Sequence, residues 1–309
     1  MATNVVLDVD PGHDDAIAML LALEHDDVVV EAVTTVAGNQ TLPKTTRNAQ
    51  RVLALANRSD VPVVAGMAEP MVRSEDLIAT PEVHGESGLN GPDLPNPECD
   101  PVADHAVSRI RDLVMEGSVT LVPTGPLTNV AAALRQYPAV EDRIDEIVLM
   151  GGAVGMGNYT PAAEYNILVD PEAADIVFDS NVPVTMVSLD VTRESRVGRE
   201  HIERIRGFGD PVGSIVAAWL DYFLQWHERQ YDRESVPIHD ALAVGAIVDR
   251  GLVDTEHLHV AVETSGDHTL GQTVCDRYCV LDTVPNAHVA LDVDRERFVD
   301  LLCDTLEAY

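Results

Sequence analysis

Positive charge is scarce in this sequence. Only 20 of its 309 residues are lysine or arginine, against 52 aspartates and glutamates, so the formal net charge is −32. A surface this acidic argues against electrostatic binding of nucleic acids or of anionic membranes. The acidic residues are spread along the whole chain and 46% of the residues are hydrophobic, which a disordered acidic protein would not show. We expect a well-solvated surface adapted to high salt, as in the cytoplasm of a halophile.

Cysteines and long apolar runs are also scarce. The four cysteines form no Cys-x-x-Cys pair, and we interpret them as buried free thiols. Residues 1–7 lack the basic region that opens a signal peptide, and no stretch approaches the length needed to span a bilayer. The sequence therefore predicts a cytoplasmic protein without a membrane or nucleic-acid partner.

Runs with strand and helix character alternate along the sequence. We assign strands to residues 5–7, 28–36, 61–64, 119–122, 147–150 and 182–189, with a few more within 257–293. We assign helices to residues 16–23, 41–57, 103–116, 171–178, 211–231 and 294–307. This alternation predicts an α/β fold with an open, mainly parallel, Rossmann-like sheet flanked by helices. Because we find neither internal repeats nor a linker, we expect residues 1–309 to form a single domain.

The turn between the first strand and the first helix holds four carboxylates, those of Asp8, Asp10, Asp14 and Asp15. An aspartate before a helix usually caps it, but a cap needs only one carboxylate, and several in one turn repel each other. A hard divalent cation relieves this repulsion, and Ca²⁺ and Mg²⁺ prefer oxygen ligands. Open α/β sheets also place their sites at the C-terminal ends of strands. The cluster therefore favours a metal site over a helix cap.

Two irregular segments carry further polar candidates. Residues 68–101 are rich in proline, glycine and glutamate and contain His84, although a lone histidine on a loop is more often simply solvated. Residues 155–170 form the second segment, with side chains that suit sugar hydroxyls, although asparagine and glycine also build turns. Its polar candidates are Asn158, Glu164 and Asn166. The residues alone do not decide between these interpretations.

Another aspartate opens an apolar helix later in the chain. Asp240 follows His239 directly, so it is either a helix cap or a metal ligand beside a histidine that donates a proton. The preceding helix, 211–231, carries an aromatic stripe, and such stripes usually pack in a core. Its exit, residues 229–233, is polar enough to form a mobile lid.

Five motifs, in order along the chain, resemble those of the inosine–uridine preferring nucleoside hydrolase family. Asp8–Asp15 matches Asp-x-Asp-Pro-Gly-x-Asp-Asp. The other four are the His-Gly-x-x-Gly loop at His84, the Thr-Gly-Pro-Leu-Thr-Asn turn at Thr124–Asn129, the sugar loop from Asn158 to Asn166, and His239-Asp240. The resemblance implies the nucleoside hydrolase fold. It also implies hydrolysis of the N-glycosidic bond of ribonucleosides to free base and ribose, for salvage or catabolism.

The resemblance further implies roles for individual residues. It implies a Ca²⁺ held by Asp10, Asp15, the Thr124 carbonyl and Asp240. It implies ribose contacts from Asp14, Asn158, Glu164 and Asn166, with Asn39, a further substrate-binding candidate, nearby. A water activated by Ca²⁺ and Asp10 would attack C1′, and His239, with a pKa near neutral, would protonate the leaving base. We also assign substrate binding to His84, Met150 and Tyr231. Related proteins are dimers or tetramers, which implies a homodimer or homotetramer.

Two alternatives remain at this point. A haloacid-dehalogenase-like phosphatase would use Asp8-Val9-Asp10 as its nucleophile motif, but it also needs a downstream lysine, and the single lysine, Lys44, lies too early. A non-catalytic protein of the same fold that binds Ca²⁺ or nucleosides is the other alternative. The joint presence of Asp10, Asp14 and His239 argues against it. The sequence leaves the preferred base open.

Overall fold

Strands and helices alternate along the chain, as the sequence predicts. The computed structural model describes residues 2–73 and 79–309, except for the side chain of Tyr231. The strands are β1 (Thr3–Val9), β2 (Val28–Thr35), β3 (Val63–Ala65), β4 (Val119–Pro123), β5 (Ile144–Met150), β6 (Val184–Val187), β7 (Arg196–Gly198), β8 (Ser235–Pro237), β9 (Val253–Leu258), β10 (Val260–Val262), β11 (Thr273–Cys275) and β12 (Ala287–Val293). The helices are α1 (His13–Glu24), α2 (Leu42–Leu55), α3 (Pro81–His84), α4 (Ala106–Glu116), α5 (Thr128–Gln136), α6 (Tyr165–Val169), α7 (Pro171–Phe178), α8 (Leu189–Thr192), α9 (Arg199–Arg206), α10 (Pro211–Tyr231), α11 (His239–Val248) and α12 (Arg295–Glu307).

Eight of the described strands form one sheet, in the order β3-β2-β1-β4-β5-β6-β12-β9. Neighbouring strands run parallel, except that β9 is antiparallel to β12. The chain adds β2 and β3 on one side of β1, then crosses to add β4, β5 and β6 on the other. The strand order therefore reverses between β1 and β4. Open α/β sheets bind their ligands at such a switch point, beyond the C-terminal ends of the strands.

Burial on every side fixes β1 and α1 at this switch point. Leu7 and Val9 of β1 pack in one apolar cluster, and Val6, which points to the opposite face, packs in another. Helix α1 is buried from His13 to Leu23, because α11 packs along it and α10 and α12 also contact it. An apolar helix enclosed in this way cannot shift without opening the core. Its N-terminal turn, which carries the paired aspartates, is therefore held in place.

The irregular segment 155–170 is more ordered than the sequence predicts. Helix α6 begins at Tyr165, because the carboxylate of Glu164 accepts hydrogen bonds from the backbone N–H groups of Asn166 and Ile167. The sequence patterns also do not predict β7, β8 or α9, which are short.

The interpretation of the cysteines as buried thiols is correct for Cys303 and wrong for Cys99 and Cys279, which are exposed. Among the described helices, none combines the length and the apolar character needed to cross a bilayer, even though α10 has 21 residues. The single-domain organisation of residues 1–309 stays a prediction.

Candidate active site

Three buried carboxylates, those of Asp14, Asp15 and Asp240, converge at the switch point between β1 and β4. One oxygen atom of each lies within 4.8 Å of the others. Asp14 and Asp15 are in the first turn of α1, and Asp240 is in the first turn of α11. The packing of α11 along α1 brings these two helix starts together. Motifs more than two hundred residues apart in the sequence therefore meet in one site.

Asp10, a predicted metal ligand in the loop after β1, is not one of the three carboxylates that lie within 4.8 Å of one another, but its charge interacts with those of Asp14, Asp15 and Asp240. Its Oδ2 accepts a hydrogen bond from the backbone N–H of Asn39 at 2.6 Å. A Cβ atom at Gly125 would lie 2.6 Å from Oδ1, and one at Gly38 would collide with Oδ2, so both positions need glycine to leave room for the carboxylate. Oδ1 is buried and has no hydrogen-bond partner among the described residues. Such an oxygen is costly unless a ligand meets it.

No arginine or lysine forms an ion pair with any of these four aspartates in the described part of the chain. Burial and the charge of Asp15 raise the pKa of Asp14 to about 7 and hold the pKa of Asp10 well above its ordinary value. Burial and the charges of its neighbours also raise the pKa of Asp240. An anionic, all-oxygen, buried set of this kind fits a hard divalent cation. Asp14, which the resemblance assigns to ribose, lies inside the same cluster.

Thr124 and Asn166 connect the carboxylates to the sugar loop. The hydroxyl of Thr124 donates to Oδ1 of Asp15 at 2.7 Å. The Thr124 carbonyl, a predicted metal ligand, accepts from Nδ2 of Asn166 at 2.7 Å, and the same amide donates to the Met150 carbonyl at 3.2 Å. A carbonyl oxygen has two lone pairs, so that of Thr124 retains one for a cation.

The side chain of Glu164 is held by the backbone around it. Its carboxylate accepts hydrogen bonds from three backbone N–H groups, at 3.0, 3.1 and 3.1 Å. Burial nevertheless raises its pKa to about 7. Asn158 lines the cavity, and its Oδ1 accepts from the backbone N–H of Tyr165 at 2.9 Å. The loop thus presents both donors and acceptors, as sugar hydroxyls require.

The predicted substrate and metal residues surround one cavity of about 400 Å³, a volume suited to a small ligand. Those that line it are Asp14, Asn39, His84, Thr124, Met150, Asn158, Glu164, Asn166, His239 and Asp240. Asp10 and Asp15 are fully buried beside it. The side chain of Tyr231 lies outside the described residues, so its assignment stays a prediction.

His84 is buried, so the interpretation of it as a solvated loop histidine is wrong. Gly85 and Gly88, with φ values of 79° and 83°, allow the loop after it to turn. The His84 ring stacks on that of His13, with centroids 5.3 Å apart, and the Nδ1 atoms of the two rings lie 3.1 Å apart. Burial, together with His13 and His239, lowers the pKa of His84 well below its ordinary value. Its imidazole is therefore neutral at neutral pH.

His239 faces the same cavity from the start of α11. Its Nδ1 lies 2.7 Å from the hydroxyl oxygen of Thr192. Burial, followed by His227 and two arginines, lowers the pKa of His239 to about 3. The sequence-based expectation of a near-neutral pKa is therefore wrong for this structure. A neutral imidazole can donate a hydrogen bond, but it does not carry a resting proton for the leaving base.

Twelve further residues line the cavity. The sequence patterns assigned none of Arg193, Arg196, Phe223, Trp226 and His227 to the site, whereas Arg233 falls in the predicted exit of α10, residues 229–233. That this exit forms a mobile lid stays a prediction. The aromatic stripe of α10 was assigned to the core, which is correct for Trp219. Phe223 is also buried but lines the cavity as well, together with Trp226 and His227. One feature of the sequence could have indicated the arginines: basic residues are rare in this chain, so each one is a candidate for a specific role.

Comparison with known proteins identifies the family. The family model for inosine-uridine preferring nucleoside hydrolases matches residues 5–300. The chain belongs to this nucleoside hydrolase family. The pyrimidine-specific ribonucleoside hydrolase RihA of Shewanella oneidensis is 49% identical, over 100% of this chain and 98% of that protein.

Two solved structures are also similar to this nucleoside hydrolase. A plant nucleoside hydrolase has a TM-score of 0.93 and 32% identity, with 100% of both chains covered. A purine-preferring ribonucleoside hydrolase from Gardnerella vaginalis has a TM-score of 0.93 and 32% identity, over 99% of this chain and 98% of that one. The predicted fold is thereby confirmed.

As a nucleoside hydrolase, the protein is an enzyme that hydrolyses the N-glycosidic bond of ribonucleosides. The phosphatase and non-catalytic alternatives are therefore excluded. The family uses a metal at the buried aspartate cluster, which here comprises Asp14, Asp15 and Asp240, and the donor chemistry described above fits one.

Proposed function

We propose that this nucleoside hydrolase acts on pyrimidine ribonucleosides and uses a calcium ion. Its relative from Shewanella oneidensis, which is named pyrimidine-specific, is 49% identical over the whole chain, and this observation carries the base preference. The solved structures do not favour either class of base, because the plant and the purine-preferring proteins have the same TM-score of 0.93. Backbone similarity reflects the fold, whereas base preference depends on side chains around the base.

The proposed ligands of the calcium ion are the carboxylates of Asp10, Asp15 and Asp240 and the carbonyl oxygen of Thr124. All four donors are oxygen atoms, and Oδ1 of Asp10 is buried without a protein partner, which supports a cation of the calcium type. When bound, Ca²⁺ supplies the positive charge that orients the ribose hydroxyls and lowers the pKa of the attacking water.

In this proposal Asp10 holds the attacking water and takes its proton, which is supported by its Oδ1 being buried without a hydrogen-bond partner among the described residues. The ribose hydroxyls are held by the residues assigned to them, Asp14, Asn158, Glu164 and Asn166, with Asn39 nearby. Carboxylates below C1′ stabilise the positive charge of an oxocarbenium-like ribosyl group. The same groups therefore bind the sugar and favour its transition state.

We assign contacts with the base to His84 and His239, which line the same cavity. Both imidazoles are neutral, so we assign them hydrogen bonds to the base, not delivery of a resting proton. Tyr231, at the end of α10, would complete this side of the site. The setting is also a proposal: a net charge of −32 supports a cytoplasm with high salt, and the family resemblance supports a homodimer or homotetramer.

A substrate panel tests the base preference. We expect kcat/KM for uridine and cytidine to exceed that for inosine and adenosine on the order of 10²-fold, since a pocket shaped for one ring rejects a bicyclic base. Base release is followed by chromatography, with Asp10→Asn protein as the blank. Hydrolysis of inosine as fast as that of uridine would show that the preference does not extend to this chain.

A further inference from the structure

Charges of both signs line the cavity. Asp14, Asp240 and Glu164, which belong to the proposed metal and ribose site, supply the acidic groups. Arg193, Arg196 and Arg233 line the same cavity beside Trp226 and His239. The chain has only 20 basic residues against 52 acidic ones, so three arginines at one cavity is a marked local concentration.

The hydrogen bonds that these arginines donate go to uncharged groups. Arg193 donates to the carbonyl oxygens of Met156 and Gly157 at 2.8 and 2.6 Å. Arg196 donates to the hydroxyl of Ser235 at 2.7 Å and to its carbonyl oxygen. Arg233 is exposed at the rim and makes no hydrogen bond within the described residues.

No carboxylate of the described residues forms an ion pair with these three arginines, although the charge of Glu194 acts on Arg196. Within residues 2–73 and 79–309, none of the three arginines forms an ion pair, and their acidic neighbours in sequence, Glu194 and Glu234, are exposed. Nearby arginines behave differently: Arg204 pairs with Asp304 at 2.6 Å and Arg206 with Asp221 at 2.6 Å. The positive field at the cavity is therefore available to a ligand.

The charges of the arginines act on two histidines that line the cavity, His239 and His227. After burial and His227, the charges of Arg193 and Arg196 are the next causes that lower the pKa of His239. Arg196 and Arg233 similarly follow burial in lowering the pKa of His227. The backbone and hydroxyl contacts of Arg193 and Arg196 fix their guanidinium groups before substrate enters, which is the condition for electrostatic stabilisation of a transition state.

We propose that Arg193, Arg196 and Arg233 stabilise the negative charge that develops on the departing base. This inference rests on the proposed function only in placing the base at this side of the cavity. As the C1′–N bond breaks, its electron pair moves to the base nitrogen, and the base leaves as an anion. The water oxygen forms the new bond to C1′, its proton passes to Asp10 and then to solvent, and the free base takes a proton from water. The overall change is nucleoside plus water to ribose plus base.

Such a site provides charges opposite to those that develop as the C1′–N bond breaks. Carboxylates face the ribosyl group, which becomes positive, and guanidinium groups face the base, which becomes negative. Groups that act only on developing charge should alter kcat and leave the binding of the neutral substrate unchanged. This distinguishes an electrostatic role from a structural one.

Arg196→Gln and Arg233→Gln test the proposal, with Arg204→Gln as the matched control, since it removes one exposed arginine away from the cavity. We expect each test variant to lower kcat for uridine by about 10–100-fold with little change in KM. The loss should be smaller for 5-fluorouridine, whose base is the more stable anion, and Arg196→Lys should restore part of the rate. If Arg196→Gln misfolds, Arg233→Gln still tests the proposal, because it removes no described hydrogen bond.

Inhibition by barbiturate, which resembles uracil but is anionic at neutral pH, gives a second readout. The wild type and Arg204→Gln should bind barbiturate more tightly than uracil, and the two test variants should lose this preference by about 10-fold. Equal slowing of uridine and 5-fluorouridine, or an unchanged barbiturate preference, would overturn the proposal. A wild type that prefers inosine would instead contradict the proposed base preference, and the barbiturate comparison would still decide the role of the arginines.

Discussion

Replacement of Asp10 by asparagine should nearly abolish ribonucleoside hydrolysis, with kcat lower by at least about 10³–10⁴-fold. The change is isosteric and removes one negative charge. Its Oδ1 is buried at the aspartate cluster without a partner, and Oδ2 is fixed by the N–H of Asn39 at 2.6 Å. The substitution therefore removes a proposed metal ligand and the proton acceptor for water together. Steady-state assays of base release from uridine measure the change in kcat.

Asp8→Asn is the matched control for this prediction. Asp8 belongs to the same motif and is buried, and its Oδ2, like Oδ1 of Asp10, has no hydrogen-bond partner among the described residues. Its Oδ1 accepts hydrogen bonds from the Thr34 hydroxyl at 2.6 Å and from Nδ2 of Asn129 at 2.8 Å. Unlike Asp10, it is not among the charges that raise the pKa of Asp240. We expect this variant to retain kcat within about 10-fold, since it keeps a hydrogen-bonding side chain of the same shape. Equal losses in the two variants would mean that Asp10 acts through the fold and not through the reaction.

Thermal stability should depend steeply on salt. We expect the unfolding midpoint to rise on the order of 10 °C or more between about 0.1 M and 2 M KCl, because the Debye length falls from about 10 Å to below about 3 Å and repulsion among surface carboxylates is screened. The net charge is −32, and arginines are outnumbered even where they pair: Arg204 alone faces Asp300, Asp304 and Glu307.

Differential scanning calorimetry across a KCl series checks the salt prediction. A parallel series in sucrose separates screening from the general stabilisation that excluded solutes give, since sucrose carries no charge. The rise should appear in KCl and be much weaker in sucrose. An unfolding midpoint that is already high and constant at low salt would mean that the acidic surface has another cause than adaptation to salt.

The sequence predicts the parts of this protein that local patterns encode. The alternation of apolar strands and helices is sufficient for the parallel sheet, because each strand and helix carries its own periodicity. The carboxylates of residues 8–15 are recognisable as a cluster because they are adjacent in sequence. Asp240 needed the resemblance to a family, because only the packing of α11 on α1 brings it to Asp14 and Asp15.

The other side of the site depends on tertiary placement. Arg193 follows α8 and Arg196 opens β7 three residues later, whereas Arg233 follows α10, and no motif in the sequence links it to the other two. Burial, the neighbouring His227 and the charges of Arg193 and Arg196 lower the pKa of His239, and none of these is visible in a dipeptide motif. His84 appeared to be a solvated loop residue, whereas stacking on His13 buries it. Local sequence thus indicates the sugar side of the cavity better than the base side.

Calcium titration of chelated protein tests the proposed metal site most directly. Metal bound per chain and uridine hydrolysis are measured on the same samples, for the wild type and for Asp10→Asn. We expect wild-type activity to be lost on chelation and to return in proportion to bound calcium, reaching its maximum at about one ion per chain, because the clustered carboxylates form a single site. Asp10→Asn should bind calcium weakly and remain inactive. Full activity in wild-type protein that contains no divalent metal would contradict the proposed role of the aspartate cluster.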